Sequence, residues 1–246
     1  EYKKERLGRY IKRIEINKIQ GLIKNKKIVD FGCGHGNFLM SMIKFKPKKF
    51  VQIGSSIEYG KSKSPQKEIS IKKINTLSVY GDAKLASTLF LLSLYKKERF
   101  PSTIIRLYLV YGSNQDNNRV IPYVINSSLG KEKFNCSPGN QLRDFTYIDD
   151  VVNAIYKTLK CKESDGEVIN IGSGKPKKIK NLIKMIVKYV GSGKPIFSKL
   201  KIRSDELTKL YPSITKAKKI LKWAPKTSLK MGLKKTIKSY LNNEKN

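Results

Sequence analysis

The sequence predicts an α/β protein built around an open sheet. Short apolar segments rich in β-branched residues alternate with longer segments of helical periodicity. Turns that contain glycine separate several of these segments. The chain has 246 residues, of which 39% are hydrophobic, and this is enough for a core in one large or two small domains. Alternation of strands and helices along a chain is typical of the α/β class.

The first elements are predicted to be a strand, a tight turn and a helix. Residues 26–31 (KKIVDF) form a short apolar segment that precedes the glycine segment 32–36 (GCGHG) and the helical residues 37–43. A turn of this kind directs backbone N–H groups and a helix N-terminus at an anion or polar ligand. Upstream, residues 7–23 carry apolar side chains at helical spacing.

A second strand is predicted at residues 49–54, and it is followed by Ser55 and Ser56. Because open α/β sheets bind ligands at the C-terminal edge of their strands, both serines are candidate site residues. The next helix, residues 79–99, carries Tyr80 and Lys84 one turn apart on the same face.

The remainder of the chain continues the alternation. Its clearest signal is an amphipathic helix with apolar residues on one side, and serines are expected to cap the last two helices. The predicted elements are a strand at 102–110, a helix at 119–129, a turn at 137–140, a helix at 148–159, a strand at 168–171, a helix at 179–190, and helices starting near Ser213 and Ser228.

The formal net charge of +33 suggests a nucleic-acid partner, because basic surfaces attract phosphate. The excess is mostly lysine and is spread through every segment, whereas a dedicated binding face would concentrate arginines and stacking aromatics. We therefore expect a solvated surface and no specific nucleic-acid partner.

The three cysteines, Cys33, Cys136 and Cys161, are too widely separated for a disulfide framework or a metal-binding motif. No apolar segment is long enough to span a membrane, and residues 1–13 are too charged for a secretory signal. The sequence thus predicts a cytoplasmic protein with no metal site.

Ser55, Tyr80 and Lys84 have the spacing of a triad for hydride-transfer chemistry, with Tyr80 following Ser55 by 25 residues. A tyrosine is a poor base near neutral pH, so it needs a nearby cation to favour its phenolate. Lys84 supplies that charge, and a serine hydroxyl can hold the substrate oxygen during proton transfer. Tyrosine and lysine are common in this chain, so the pair alone does not distinguish a site from coincidence.

Several further motifs lie on both sides of the triad and occur in the order typical of one enzyme family. From about residue 37 to residue 240 the chain resembles the nucleotide-sugar epimerase, reductase and dehydratase branch of the extended short-chain dehydrogenase/reductase family. The resemblance implies a Rossmann-like parallel sheet with a smaller α/β substrate-binding part. The motifs are residues 54–60 (GSSIEYG), 80–84 (YGDAK), 106–112 (RLYLVYG), 118–122 (NRVIP), 143–150 (RDFTYIDD) and 170–174 (NIGSG).

This resemblance implies a role for each matching residue. By this resemblance, Ser55, Tyr80 and Lys84 are expected to be the catalytic triad and to contact NAD or NADP, with Leu107 beside the cofactor. Arg143 and Arg203 pair with the substrate diphosphate, a task suited to the forked guanidinium. The alternative for each arginine is a surface ion pair, Arg143 with Asp144 and Arg203 with Asp205. The remaining implied substrate contacts are Ser56, Asn118 and Arg119, and a homodimer is implied through the helices around Tyr80.

Two departures from the family pattern narrow the chemistry. Dehydratases of the family place an acid and a base directly after the catalytic serine or threonine, whereas this chain has Ser56 and Ile57. Glu58 comes one position later and is expected to face the other way on an extended segment. Leu109 replaces an asparagine of the substrate site. Epimerisation or 4-keto reduction is therefore favoured over 4,6-dehydration.

The front of the chain differs from the family pattern, because no GxxGxxG turn precedes residue 50. Residues 28–36 (IVDFGCGHG) instead resemble the first motif of class I S-adenosylmethionine-dependent methyltransferases. Gly32, Gly34 and Gly36 are candidate cofactor contacts, because glycine lets the backbone approach a ligand. We therefore expect a truncated cofactor half. The expected parts are a methyltransferase-like segment at 1–36, the remaining dinucleotide-binding and catalytic portion at 37–115, and a mainly nucleotide-sugar-binding portion at 116–246.

Two classes of function stay open at this point. The first is an NAD(P)-dependent nucleotide-sugar epimerase or 4-keto reductase that transfers hydride at C4 of a nucleotide-linked hexose, with its cofactor half altered. The second is an S-adenosylmethionine-dependent methyltransferase fragment or a noncatalytic nucleotide-sugar-binding protein.

Overall fold

A computed structural model describes residues 27–30, 46–68, 76–201 and 206–243. The predicted helices at 7–23 and 37–43, the glycine segment 32–36 and Arg203 lie outside these residues. The described strands are β1 (Lys27–Asp30), β2 (Lys49–Ser55), β3 (Ser102–Leu107), β4 (Leu109–Tyr111), β5 (Lys133–Asn135), β6 (Leu142–Arg143), β7 (Phe145–Tyr147), β8 (Glu167–Ile171), β9 (Lys177–Lys178), β10 (Lys194–Ile196) and β11 (Lys209–Leu210). The described helices are α1 (Val79–Glu98), α2 (Val120–Leu129), α3 (Ile148–Lys160), α4 (Ile179–Val190), α5 (Thr215–Ile220) and α6 (Leu229–Asn243).

A parallel sheet with the strand order β1-β2-β3-β8 forms the centre of the fold. Its register places Ser55, the last residue of β2, opposite Leu107, the last residue of β3. Parallel strands joined by a helix, such as β2 and β3 joined by α1, are the unit of Rossmann-like folds. The predicted α/β class is confirmed.

Both faces of this sheet are covered, and its strands alternate their side chains between two apolar layers. On one face the core of Phe50, Leu91, Phe100, Ile104 and Val168 packs the sheet against α1. The other face packs against α3 and α5, and its buried residues are Val51, Ile53, Ile105, Val151, Ala154, Ile169, Ile171, Ala217, Leu221 and Trp223. This double burial means that even the polar side chains Gln52, Thr103 and Arg106 of β2 and β3 are buried.

A second core lies among α2, α4 and α6. Helix α4 buries the predicted apolar stripe, with Leu182 and Ile186 fully buried. The other buried members of this core are Tyr111, Ile121, Val124, Ile125, Phe134, Cys136, Phe145, Tyr147, Ile179, Ile183, Leu233 and Ile237. The chain after residue 115 therefore builds this core and also returns to the central sheet through β8, α3 and α5.

The single strand predicted at residues 102–110 is divided at Tyr108. Strand β3 stays in the central sheet, whereas β4 pairs in parallel with β7 in a separate two-stranded sheet. The Tyr108 amide donates to the Ile171 carbonyl at 3.3 Å, and its hydroxyl donates to Gln66 Oε1 at 2.7 Å. These two bonds fix the residue at which the chain leaves the sheet.

Two local predictions differ from the structure. Residues Ser56–Tyr59 form a 3-10 turn instead of an extended segment, because the Ser55 side chain caps its N-terminus. Helix α5 begins at Thr215 with Ile214 as its N-cap, so the predicted cap Ser213 lies one residue too early, although its Oγ accepts from the Thr215 amide at 3.5 Å. The last helix is capped as predicted, since the Met231 amide donates to Ser228 Oγ at 3.2 Å. Within the described ranges, no helix has the length and apolar character needed to cross a membrane.

Candidate active site

A cavity of about 1020 Å³ opens at the C-terminal ends of β2 and β3 and extends to the second core. This is the edge at which open α/β sheets bind their ligands, and the volume is in the range of small-molecule and cofactor sites. Many of the predicted site residues line it, and these are Ser55, Ser56, Tyr80, Leu107, Asn118, Arg119 and Arg143. Gly32, Gly34, Gly36 and Arg203 lie outside the described residues.

Ser55 is held at the end of β2 by the turn that follows it. Its Oγ accepts from the Ile57 amide at 3.4 Å, and its own amide donates to Glu58 Oε1 at 2.8 Å. These reciprocal contacts are a capping box. The backbone of Ser55 is therefore fixed, while its side chain lies at the cavity wall.

Tyr80 and Lys84 lie in the first turns of α1. Ser78 caps this helix by accepting from the Gly81 amide at 3.1 Å. Tyr80 lines the cavity and is 58% exposed, whereas Lys84 is buried behind it. Lys84 Nζ lies 5.9 Å from the centre of the Tyr80 ring and donates to the Ile53 carbonyl at 2.7 Å. The structure thus places a fixed cation behind an accessible phenol.

Glu58 does not line the cavity. Its side chain is fully buried and forms an ion pair with Arg106 of β3, with Arg106 Nη2 2.7 Å from Glu58 Oε2. The expectation that Glu58 faces away from the site agrees with this geometry, although the turn is 3-10 and not extended. Ser56 and Ile57, which follow Ser55, line the cavity instead.

Arg143 lies at the far side of the cavity and forms an ion pair with Glu206. The Arg143 side chain is buried, and its Nη1 donates to the Leu142 carbonyl at 2.8 Å. The alternative of a surface pair with Asp144 is wrong, because the buried Asp144 carboxylate accepts from the Ser173 amide at 2.6 Å and from the Ser173 hydroxyl at 2.8 Å. Burial raises the pKa of Asp144, and the Ser173 hydrogen bonds oppose this rise.

Asn118 and Arg119 are exposed at the mouth of the cavity, just before α2. The Asn118 amide donates to Asp116 Oδ1 at 3.1 Å, which shapes the turn. Both side chains are thus placed where an entering ligand would pass.

Sequence reasoning missed several cavity residues. Gln141 and Arg143 are two residues apart on and beside β6 and both line the cavity, so strand periodicity could have found Gln141. Its Oε1 is buried without a hydrogen-bond partner among the described residues. Glu206 had no local signal, because it lies 63 residues from Arg143. The described residues contain no group of three or more His, Cys, Asp or Glu side chains placed to hold a metal ion.

The methyltransferase-like interpretation depends on residues 28–36. Of that segment the structure describes only residues 28–30, which belong to β1 and pair in parallel with β2. Strand β1 therefore belongs to the same sheet as β2, β3 and β8, whose C-terminal edge carries Ser55 and Leu107.

A parallel sheet with this edge and this cavity defines a Rossmann-like α/β protein. The chain belongs to the NAD dependent epimerase/dehydratase family, which matches residues 34–172. That match includes Gly34 and Gly36, which were expected to belong to a separate front segment.

Individual relatives agree with this assignment. The human dTDP-D-glucose 4,6-dehydratase is 32% identical over 203 residues, covering 80% of this chain and 57% of the human protein. A protein of Methanocaldococcus jannaschii is 29% identical, and 61% of its length is covered. The chain thus spans about three fifths of the length of these curated relatives.

Solved structures show the same fold. The UDP-glucose 4-epimerase of Thermotoga maritima with UDP-glucose is 29% identical, with a TM-score of 0.77 over 84% of this chain and 68% of that chain. The UDP-glucuronic acid 4-epimerase of Bacillus cereus, in complex with UDP-glucuronic acid and NAD, is 30% identical, with a TM-score of 0.76 over 84% of this chain and 65% of that chain.

Proposed function

We propose that this protein is an NAD(P)-dependent nucleotide-sugar epimerase or 4-keto reductase acting at C4 of a nucleotide-linked hexose. The observation that carries the proposal is the shared cavity: Ser55 and Tyr80 line one part of it, Lys84 lies behind Tyr80, and Arg143 lines another part. Membership of the epimerase/dehydratase family supports the same reaction class.

The cavity fits a nicotinamide dinucleotide at the strand ends. Ser55 and Leu107 are paired in register at the C-terminal edge of the sheet, where Rossmann-like folds hold dinucleotides. One of the three N–H groups of the Lys84 ammonium donates to the Ile53 carbonyl, and an ammonium of this kind can also donate to ribose hydroxyls. When bound, the dinucleotide would supply the hydride acceptor and donor.

Tyr80 is the proposed acid/base. Its phenolate takes the proton of the sugar C4 hydroxyl as the C4 hydride leaves, which gives a 4-ketone. Return of a hydride and of the Tyr80 proton to this ketone gives an alcohol of either configuration. The Lys84 ammonium provides a positive charge beside Tyr80, and the Ser55 hydroxyl holds the reacting oxygen.

Arg143 is the proposed partner of the substrate diphosphate, since a guanidinium can bind phosphate oxygens with two parallel hydrogen bonds. Glu206 holds this guanidinium in the structure described here. Asn118 and Arg119 contact the nucleotide at the cavity mouth in this proposal, and Ser56 contacts the sugar. A cytoplasmic location is part of the proposal, because Cys136 and Cys161 are free thiols.

Replacement of Tyr80 by phenylalanine tests the mechanism. Tyr156→Phe is a matched control, because Tyr156 on α3 is 54% exposed and lies on another helix. With NAD and UDP-glucose or dTDP-glucose as probes, Tyr80→Phe should abolish turnover while circular dichroism and the control stay unchanged. Equal turnover by both variants would remove Tyr80 from the mechanism. A chain that binds S-adenosylmethionine but not NAD(H) at millimolar concentration would overturn the proposal.

A homodimer through α1 is a further part of the proposal. The helix exposes Leu89, which is 47% exposed, and Val79. Leu89→Asp should shift sedimentation from dimer to monomer, whereas Val152→Asp on α3, at a residue 55% exposed, should not. A monomeric wild type would contradict this assembly.

A further inference from the structure

The buried carboxylate of Glu58 contacts three elements of the candidate site. Oε1 accepts from the Ser55 amide at 2.8 Å. Oε2 accepts from Thr88 Oγ1 of α1 at 2.7 Å and from Arg106 Nε of β3 at 2.9 Å. One side chain therefore connects the turn after Ser55, the helix of Tyr80 and Lys84, and the neighbouring strand.

The surroundings of Glu58 leave its carboxylate a single position. A Cβ added to Gly54 would lie 2.5 Å from Oε1, so the glycine provides the space for this oxygen. On the other side, the Arg106 guanidinium lies 4.3 Å from the centre of the Tyr59 ring. The Tyr59 hydroxyl donates to Asn170 Oδ1 at 2.7 Å, which holds that ring in turn. A buried charge needs such partners, because an unpaired one is costly.

Helix α1 is bound to the end of β2 at two successive turns. Lys84 donates to the Ile53 carbonyl at 2.7 Å, and Thr88, four residues later on the same helix face, donates to Glu58. Two contacts one turn apart restrict both the sliding and the rotation of the helix relative to the strand.

We propose that Glu58 is a positioning residue that fixes Ser55 relative to Tyr80 and Lys84 without touching the substrate. The effect of Glu58 on catalysis rests on the proposed function, because that function assigns catalytic roles to Ser55, Tyr80 and Lys84. The structural part of the proposal does not depend on that function. If the hydrogen bond between Thr88 and Glu58 is lost, the Ser55 amide should become less protected from hydrogen exchange.

Thr88→Val is the sharpest perturbation, because it removes one hydrogen bond and leaves the Glu58–Arg106 ion pair in place. Thr158→Val is the matched control: Thr158 is also fully buried on a helix, and its hydroxyl donates to the Ala154 carbonyl of its own helix α3. Thr88→Ser restores the hydroxyl and serves as the rescue variant.

The first measurement is amide hydrogen exchange of the wild-type chain and the three variants. Thr88→Val should speed exchange of residues 54–59 and 79–84 together, by about tenfold, as expected for a lost hydrogen bond to a charged group. Thr158→Val and Thr88→Ser should leave both segments at the wild-type rate. Unchanged exchange of residues 54–59 in Thr88→Val would overturn the proposal.

The second measurement is turnover of a nucleotide-sugar probe. Thr88→Val should lower kcat by about tenfold with KM unchanged, because substrate contacts remain while the reacting groups are misplaced. An equal fall of kcat in Thr158→Val would overturn the positioning role. A wild type without turnover would instead refute the proposed function, and the exchange result would still decide whether Glu58 fixes Ser55.

Discussion

Replacing Glu58 by glutamine should destabilise the fold strongly. The Glu58 and Arg106 side chains are 0% and 1% exposed, so this substitution leaves a buried guanidinium without its counter-charge. Removing one partner of a buried pair costs about 3–5 kcal/mol. The Arg106 Nη2 contact does not have hydrogen-bond geometry, so its contribution depends on the charge of Glu58. We expect a loss of about 4 kcal/mol, out of a total stability of about 5–15 kcal/mol.

Urea unfolding followed by circular dichroism measures this loss. With a denaturant slope of about 2 kcal/mol per molar urea, the midpoint should fall by about 2 M. Glu167→Gln is the matched control, because Glu167 pairs with Lys216 at side-chain exposures of 39% and 26%. A partly exposed pair contributes at most about 1 kcal/mol, so the control should move the midpoint by less than about 0.5 M.

Equal midpoints for Glu58→Gln and Glu167→Gln would refute the idea that the buried pair is an energetically important contact. The double variant Glu58→Leu with Arg106→Met provides a further check. Apolar replacement of a whole buried ion pair is often neutral, so it should recover most of the stability that Glu58→Gln loses. It should not recover the protection of the Ser55 amide, because leucine offers no acceptor.

Three other outcomes can be measured. Glu206→Gln should tighten UDP binding by about tenfold in calorimetry, because the diphosphate then no longer competes with a carboxylate for Arg143; weaker binding would show that Glu206 helps to hold the ligand. Burial raises the pKa of Tyr59 from 10.0 to about 12. Tyr59 therefore ionises at a lower pH in the unfolded chain than in the folded chain, and the free energy of unfolding should fall between pH 10 and pH 12. Tyr59→Phe should make this fall less steep. The same slope in wild type and Tyr59→Phe would contradict the prediction. Burial also raises the pKa of Cys136 and Cys161, so iodoacetamide should modify both slowly and the less buried Cys161 first, as mass spectrometry can show; earlier modification of Cys136 would contradict this order.

The elements predicted from the sequence are those with several consecutive residues of one hydrophobic pattern. Strands β2 and β8 and helices α1, α3 and α4 lie within a residue or two of their predicted bounds. The amphipathic helices α3 and α4 leave a periodic pattern, and α1 is long enough to be predicted without one. The strands β5, β6, β9 and β10 have only two or three residues, too few for any pattern. Of these four strands, β5 contributes Phe134 to the second core.

The candidate site residues that could be predicted are those that lie within the sequence motifs. Ser55, Tyr80 and Arg143 fall in such motifs and line one cavity. Glu206 was not predictable, because its partner is distant in sequence and no local pattern links the two. The orientation of Glu58 was anticipated, but its contacts with Thr88 and Arg106 depend on tertiary packing that periodicity does not describe.

The division of the strand at Tyr108 sets the length of the cavity. Ser55 is paired with Leu107, and after one residue Leu109 is paired with Phe145, which lies two residues from Arg143. The part of the cavity at Ser55 and the part at Arg143 are therefore connected by a short, continuous path of backbone and ladder hydrogen bonds. Such a path stretches little, so under the proposed function a nucleoside monophosphate or a free hexose should occupy only one end, whereas a nucleotide sugar of the right length should occupy both.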